Sequence, residues 1–236
     1  MCHLLALLAL CACPSDALAD EVCLVREGRP QATIVLPAKA SDQLKAAATE
    51  LVAYLKQSSG ATLPVVEEPA LKATEGQPLL LLGRTDLWPV TFPEGFDEDG
   101  FMIRVRGPRV SICPSDWGTE FGVYDFLERY VGVRWLLPGE HGTDVPRQTT
   151  LTVPQGDVSE QPVFFSRLFS GLRGEVQAQW ARHNRMHGRV SFHHNLIKLF
   201  PPEQYTKSHP EFFPLLEGQK TRYLARDSED HGWQPC

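Results

Sequence analysis

Four consecutive leucines, Leu79 to Leu82, constrain this chain more than any other stretch. Side chains along a strand point alternately to its two faces, so a strand apolar at every position is buried on both. Gly83 ends the run. The sheet around it is predicted from shorter patterns. Glu21 to Arg26 and Thr33 to Leu36 read as strands around the turn Glu27-Gly28-Arg29-Pro30, and Leu63 to Val66 as another. Phe101, Ile103 and Val105 alternate with Met102, Arg104 and Arg106, the pattern of a half-buried strand. Gly107-Pro108 turns that strand into Val110 to Cys113, making a hairpin, and Val133 to Leu136 and Thr150 to Val153 close the series.

Two helices go with these strands. Ser41 can cap a helix to about Ser58, whose apolar face is Leu44, Ala47, Ala48, Leu51, Val52 and Leu55, with Gly60 as its stop. Thr119 to Tyr130 forms the second. Asp116 is placed to favour its N-terminus, and Trp117 either packs at a domain junction or faces an active-site mouth. The loop Pro89 to Gly100 is rich in Pro, Gly and acid. The fold class is α/β, a mixed-sheet sandwich with two helices packed on it.

After it, Pro154 to Pro162 is polar and interrupted by Gly and Pro, and residues 156–162 read as a linker. Then Val163 to Leu168 reads as a strand, Val176 to Arg185 as a helix and Val190 to His193 as a strand. Strand, helix and strand begin a parallel sheet or a (β/α) barrel. A barrel needs roughly 250 residues, so the expectation for residues 163–236 is an incomplete one. The expected organisation is 1–19 signal peptide, 20–155 α/β domain, 156–162 linker and 163–236 barrel start.

The signal peptide rests on the apolar run Leu4 to Ala12 and the small-residue pattern Ala17-Leu18-Ala19, with the mature chain beginning near Asp20. The run is too short to span a bilayer. Leu10-Cys11-Ala12-Cys13 also reads as a lipoprotein signal with Cys13 carrying the lipid, so the chain is expected to be exported, either freely or anchored. Cleavage leaves Cys23, Cys113 and Cys236, an odd number. Cys23 and Cys113 either form a bridge or are two small buried side chains. The formal net charge of -6 argues against a nucleic-acid partner.

Several separated motifs agree in order with a known domain. Gly118-Thr119-Glu120-Phe121-Gly122-Val123-Tyr124-Asp125-Phe126-Leu127-Glu128, Gly132-Val133-Arg134-Trp135-Leu136-Leu137-Pro138-Gly139 and Gly142-Thr143-Asp144-Val145-Pro146 resemble the N-terminal domain of bacterial α-glucuronidases. They are also similar to the matching domain of β-hexosaminidases. The helix Ala46 to Lys56 and the leucine strand fit the same domain, so the resemblance covers Glu21 to Val153. The later words Trp180 to Met186, Phe192-His193-His194-Asn195, His209 to Phe213 and Trp233 to Cys236 resemble the opening of an uncharacterised bacterial family whose barrel follows such a domain. The resemblance implies a glycoside-hydrolase-like architecture acting on carbohydrate, including uronate- or amino-sugar-containing polysaccharides.

Glycoside hydrolysis uses two carboxyl groups facing each other across the bond. The resemblance places them on later barrel strands, outside this chain. Glu203, Glu211, Glu217, Asp227, Glu229 and Asp230 follow no confident strand and read as solvated loop charges. Arg167 ends the first expected barrel strand, where its forked donors suit a sugar hydroxyl or a uronate, or else an ion pair with a barrel neighbour. His193, His194 and Asn195 end the second, where a sugar contact and a structural role both remain open, and Trp233 could stack on a sugar face. His183 and His187 have the spacing of two metal ligands on a helix, but Asn184, Arg185 and Met186 between them lack the acid of a metalloprotease motif, and no metal or other cofactor is expected. A non-catalytic carbohydrate-binding or scaffolding module is the alternative to an enzyme.

Overall fold

The computed structural model describes residues 21–72, 74–190 and 199–213. They divide into two compact units, one running to His187 and the other starting at Gly188.

The first unit is built on a six-stranded mixed sheet. In chain order its strands are β1 (Glu21–Arg26), β2 (Arg29–Pro30), β3 (Thr33–Leu36), β4 (Val65–Glu67), β5 (Leu79–Leu82), β6 (Phe101–Arg106), β7 (Arg109–Pro114), β8 (Arg134–Trp135), β9 (Thr143–Asp144), β10 (Leu151–Pro154) and β11 (Gly156–Glu160). The main sheet has the order β11-β6-β7-β5-β3-β4; β10-β1-β2 form a small antiparallel sheet and β8-β9 a ribbon. Strands β4, β3, β5 and β7 run parallel, while β6 and β11 are antiparallel to their neighbours.

The leucine strand lies inside this sheet with both faces covered. Leu80 and Leu82 join the main core, and Leu79 and Leu81 join a smaller cluster with Val35 on the other face, against Leu71, Leu87 and Trp88. The main core is closed by helices α1 (Asp42–Ser59) and α2 (Asp116–Phe126). Helix α1 starts where the Ser41 hydroxyl accepts the Leu44 N–H, and it stops at Gly60, whose N–H donates to the Lys56 carbonyl. Helix α2 starts at Ser115, whose hydroxyl accepts the Gly118 N–H, earlier than the expected Thr119. It then widens into a π turn over Leu127–Val131. Its close approach to the sheet depends on two glycines. A β-carbon at Gly118 would fall 2.0 Å from the Gly100 carbonyl oxygen, and one at Gly122 would fall 2.5 Å from a methyl of Ile112.

The later expectations change more. Residues 156–162 are not a free linker, because Gly156–Glu160 add β11 to the sheet edge along β6 from Phe101 to Val105. A polar sequence is tolerated there because one side of an edge strand faces water. Val163 to Leu168 is not a strand. Val163 is 92% exposed, and the segment makes a single antiparallel bridge, Arg167 to His187. The following helix, α3, spans Gly174–His183, ending two residues before the expected Arg185. Arg185 adopts a left-handed conformation, with φ of 56°, and the Met186 N–H donates back to the Ala181 carbonyl, which stops the helix. The compact unit therefore continues through His187 rather than ending before residue 156. Cys23 and Cys113 are both free thiols.

In the second unit, Val190 is not in a strand, and the rest of the expected strand to His193 lies outside the described residues. Pro202–Tyr205 forms a short helix and Pro210–Phe212 a 3-10 turn, and the His209 ring stacks on Phe212 with centroids 4.8 Å apart. Among the described residues, no helix is long and apolar enough to cross a membrane.

Candidate functional site

Segment 163–187 is attached to the sheet domain through charged side chains, and this joint holds the most chemically distinctive groups of the unit. Asp99 ends the acidic loop just before β6, and its side chain is 0% exposed. Its Oδ2 lies 2.7 Å from Nη2 of Arg167, and its Oδ1 lies 2.8 Å from Nδ1 of His187. Arg167 also donates to the carbonyls of Phe164 and Arg185. The backbone bridge from Arg167 N–H to the His187 carbonyl brings the two basic residues to the same carboxylate. The His187 ring stacks on Trp117, centroids 3.8 Å apart and planes 20° from parallel. Trp117 therefore packs in the joint.

A second arrangement of the same kind lies one turn earlier. Nε2 of His183 is 2.8 Å from Oε2 of Glu50 on α1, and the Gln179 side-chain amide donates to Oε1 at 3.0 Å. The His183 ring stacks on Trp135 at 4.5 Å and meets the edge of Tyr124 at 4.8 Å. Trp135 donates through Nε1 to the Tyr54 hydroxyl, and its carbonyl accepts from Nε1 of Trp180. Burial by itself would raise the pKa of Glu50. The hydrogen bonds and charge of His183, with Gln179 and Arg182, outweigh it and leave Glu50 below the ordinary carboxylate value. Burial raises the phenols of Tyr54 and Tyr124, and the neighbouring Glu120 carboxylate raises Tyr124 further.

Two more pairs complete the joint. Glu120, buried in α2, accepts from the Tyr124 hydroxyl at 2.8 Å and the Gln43 amide at 2.6 Å, with Nε of Arg182 at 3.5 Å. Arg185 reaches Glu128, Nη1 to Oε2 2.6 Å. Thus Arg167, Arg182, His183, Arg185 and His187 all meet acids of the sheet domain. A cavity of about 290 Å³ lies beside the Asp99 cluster, lined by residues including Glu160, Gln161, Arg167 and Asn184. Another of about 270 Å³ lies between Glu50, Glu120 and Arg182.

Of the residues singled out from the sequence, Arg167 is in a buried ion pair, but with Asp99 of the α/β domain rather than with the barrel neighbour expected. His183 and His187 are divided between two carboxylates rather than converging on one centre. Oxygens of Glu98 and Asp99 and a nitrogen of His187 lie within 4.8 Å of one another. Asp99 is already shared by His187 and a guanidinium 2.7 Å away, an arrangement that disfavours a further cation. His193, His194, Asn195 and Trp233 lie outside the described residues. Glu203 and Glu211 are exposed.

Sequence reasoning missed Glu50, Asp99 and Glu120 as partners. Glu120 carried a weak signal, since it lies beside Phe121, Val123 and Tyr124 in a helix of which Gly118 to Phe126 are all buried, and a buried acid needs partners.

No protein-family model matches this chain, and no curated protein matches it. Solved structures similar to it include a family GH115 4-O-methyl-α-glucuronidase specific for decorated arabinogalactans, at 15% identity and a TM-score of 0.47, covering 62% of this chain and 19% of that one. A β-hexosaminidase of Streptomyces plicatus is similar at 17% identity and a TM-score of 0.38, covering 62% of this chain and 24% of that one. The GH20 β-N-acetylhexosaminidase of Streptomyces coelicolor is similar at 16% identity and 0.39, with 62% and 25% covered. The chain spans a quarter or less of the length of these structures.

Proposed function

We propose that this chain is the N-terminal part of an exported glycoside hydrolase-like protein. In this reading the α/β domain, with segment 163–187 packed on it, is an accessory domain that precedes a catalytic (β/α) barrel, and the catalytic carboxylates come from sequence outside the chain. The substrate is a polysaccharide containing uronate or amino sugar.

The observation that carries the reading is the joint. A tethered binding module hangs on a polar linker, whereas here residues 156–160 are a strand of the sheet and five basic side chains lock the next segment down. That construction suits a domain that rigidly supports a catalytic barrel on its C-terminal side. The agreement of the α2 and β8–β9 motifs with the α-glucuronidase and β-hexosaminidase domain supports the same reading. The carboxylates Glu50, Asp99, Glu120 and Asp125 each accept hydrogen bonds from internal donors, so they hold structure and are not available for acid/base work on a glycosidic bond. The same engagement favours a non-catalytic carbohydrate-binding module as the second reading.

The test is the intact mass of the product isolated from its native host, with assays of that product on chromogenic glucuronides and N-acetylhexosaminides. The expected result is a mass above 26.4 kDa and hydrolysis of one substrate class, with residues 20–236 alone inactive. Hydrolysis by residues 20–236 alone would overturn the proposal. A native product with the mass of the signal-cleaved chain and no hydrolysis would favour the binding module.

A further inference from the structure

Behind the joint, a separate cavity of about 370 Å³ opens between α3 and the loop that joins β8 to β9. Its lining includes Trp135, Leu137, Val176, Gln179, Trp180 and His183. We propose that this cavity binds one neutral sugar residue.

Its size is at the small end of ligand pockets, which suits a single ring. The two indoles have already used their N–H groups, Trp135 on the Tyr54 hydroxyl and Trp180 on the Trp135 carbonyl. What they offer a ligand is hydrocarbon surface, as do Val176 and Leu137. Phe169, outside the lining, packs on Trp180 with ring centroids 6.0 Å apart and planes 10° from parallel.

Against these walls stand a few fixed polar groups with bonding capacity to spare. Gln179 gives its amide N–H to Glu50, leaving its oxygen without a partner among the described residues. His183 uses Nε2 on Glu50, and its Nδ1 has no partner among the described residues. The Tyr54 hydroxyl, also on the lining, accepts from Trp135 and keeps its own proton to donate. Each group is held in place by a bond on its other side, so it is pre-organised. A sugar ring matches this mixture. Its C–H face is apolar, and its hydroxyls both donate and accept.

The charges argue for a neutral ring. Glu50 stands behind Gln179 and His183, so a carboxylate ligand meets like charge. A cation finds both oxygens of Glu50 already taken by Gln179 and His183, and Glu140, with its side chain 91% exposed, adds little for either sign of charge. Between the two sugar classes of the proposed function, the cavity therefore selects an N-acetylated or unmodified sugar over a uronate. This inference rests on the cavity alone and stands whether or not the parent protein hydrolyses glycans.

The test is saturation-transfer NMR and calorimetry on the full chain with N-acetylglucosamine, xylose and glucuronic acid. Saturable binding of a neutral sugar on the order of millimolar is expected, with glucuronic acid about tenfold weaker or more. Val176 is 58% exposed, so Val176→Arg fills the cavity mouth without touching the core, and it should weaken binding about tenfold or more at an unchanged melting temperature. Leu137→Arg, on the opposite side at 65% exposure, is an independent block if the first variant folds poorly. Failure of both neutral sugars to bind overturns the proposal. So does binding that a folded blocking variant leaves unchanged, or glucuronic acid binding as well as the neutral sugars.

Discussion

Replacing Asp99 by alanine should be the most damaging single change in the joint. The carboxylate is 0% exposed and lies between the guanidinium of Arg167, Nη2 at 2.7 Å, and the imidazole of His187, Nδ1 at 2.8 Å. Removing it strands a guanidinium and an imidazole in a largely dry site. Breaking a buried pair in this way costs about 3–5 kcal/mol. The Arg167 side chain is 21% exposed and can recover some hydration, so the lower end of that range, about 3 kcal/mol, is expected. Asp99→Asn keeps the shape and an acceptor oxygen and should cost less. Removing Arg167 together with Asp99 should cost less than the sum of the two single changes, because the guanidinium is no longer left unpaired. The assay is urea unfolding followed by tryptophan fluorescence, with midpoints compared at constant slope. Glu140→Ala, on an exposed side chain, is the control and should stay within about 0.5 kcal/mol. A loss below about 1 kcal/mol for Asp99→Ala, or strict additivity with Arg167→Ala, would refute the view that this ion pair locks the segment down.

Three further outcomes are expected. Gly122→Ala should lower stability by about 1–3 kcal/mol despite the better helix propensity of alanine, because its β-carbon would sit 2.5 Å from Ile112; a melting temperature equal to the parent's would remove the close-packing argument. Glu50 has a lowered pKa, so its stabilising contribution is full above the ordinary carboxylate value of 4.5 and is lost as pH falls through the folded-state value. Glu50→Gln should therefore flatten the acid limb of a stability profile taken between about pH 7 and about pH 3, and an unchanged limb would count against the His183 pairing. Burial pushes the Cys113 thiol up, so it should resist alkylation in the folded protein and react on unfolding; rapid labelling under native conditions, read by mass spectrometry, would contradict its place in β7.

How much of this molecule could be read along the chain depended on the range of the interaction. The leucine strand, the stripe of α1 from Leu44 to Leu55, the Ser41 cap and the hairpin around Gly107-Pro108 were all legible. Each is specified by periodicity or by turn chemistry within a few residues, and burial then acts on every copy of the pattern alike. The second half of the molecule was settled by partners distant in sequence. Gly156–Glu160 looks like a linker because its side chains are polar, yet it becomes a strand because β6 offers an unpaired edge. Val163 to Leu168 carries apolar residues like a strand, yet it stays irregular, with the Arg167 bridge as its one ladder contact. His183 and His187 read as one helical pair, but the left-handed Arg185 ends α3 between them and sends each ring to a different tryptophan and a different acid. The acids they reach, Glu50 and Asp99, precede them by 133 and 88 residues. Local pattern thus determined the strands and helices whose apolar periodicity or caps are complete within the segment, such as β5 and α1, and the side chains they turn to the core. Only the tertiary structure decided which charges would meet, because a buried charge is stable only beside its partner, and that partner is chosen by the fold rather than by spacing along the chain.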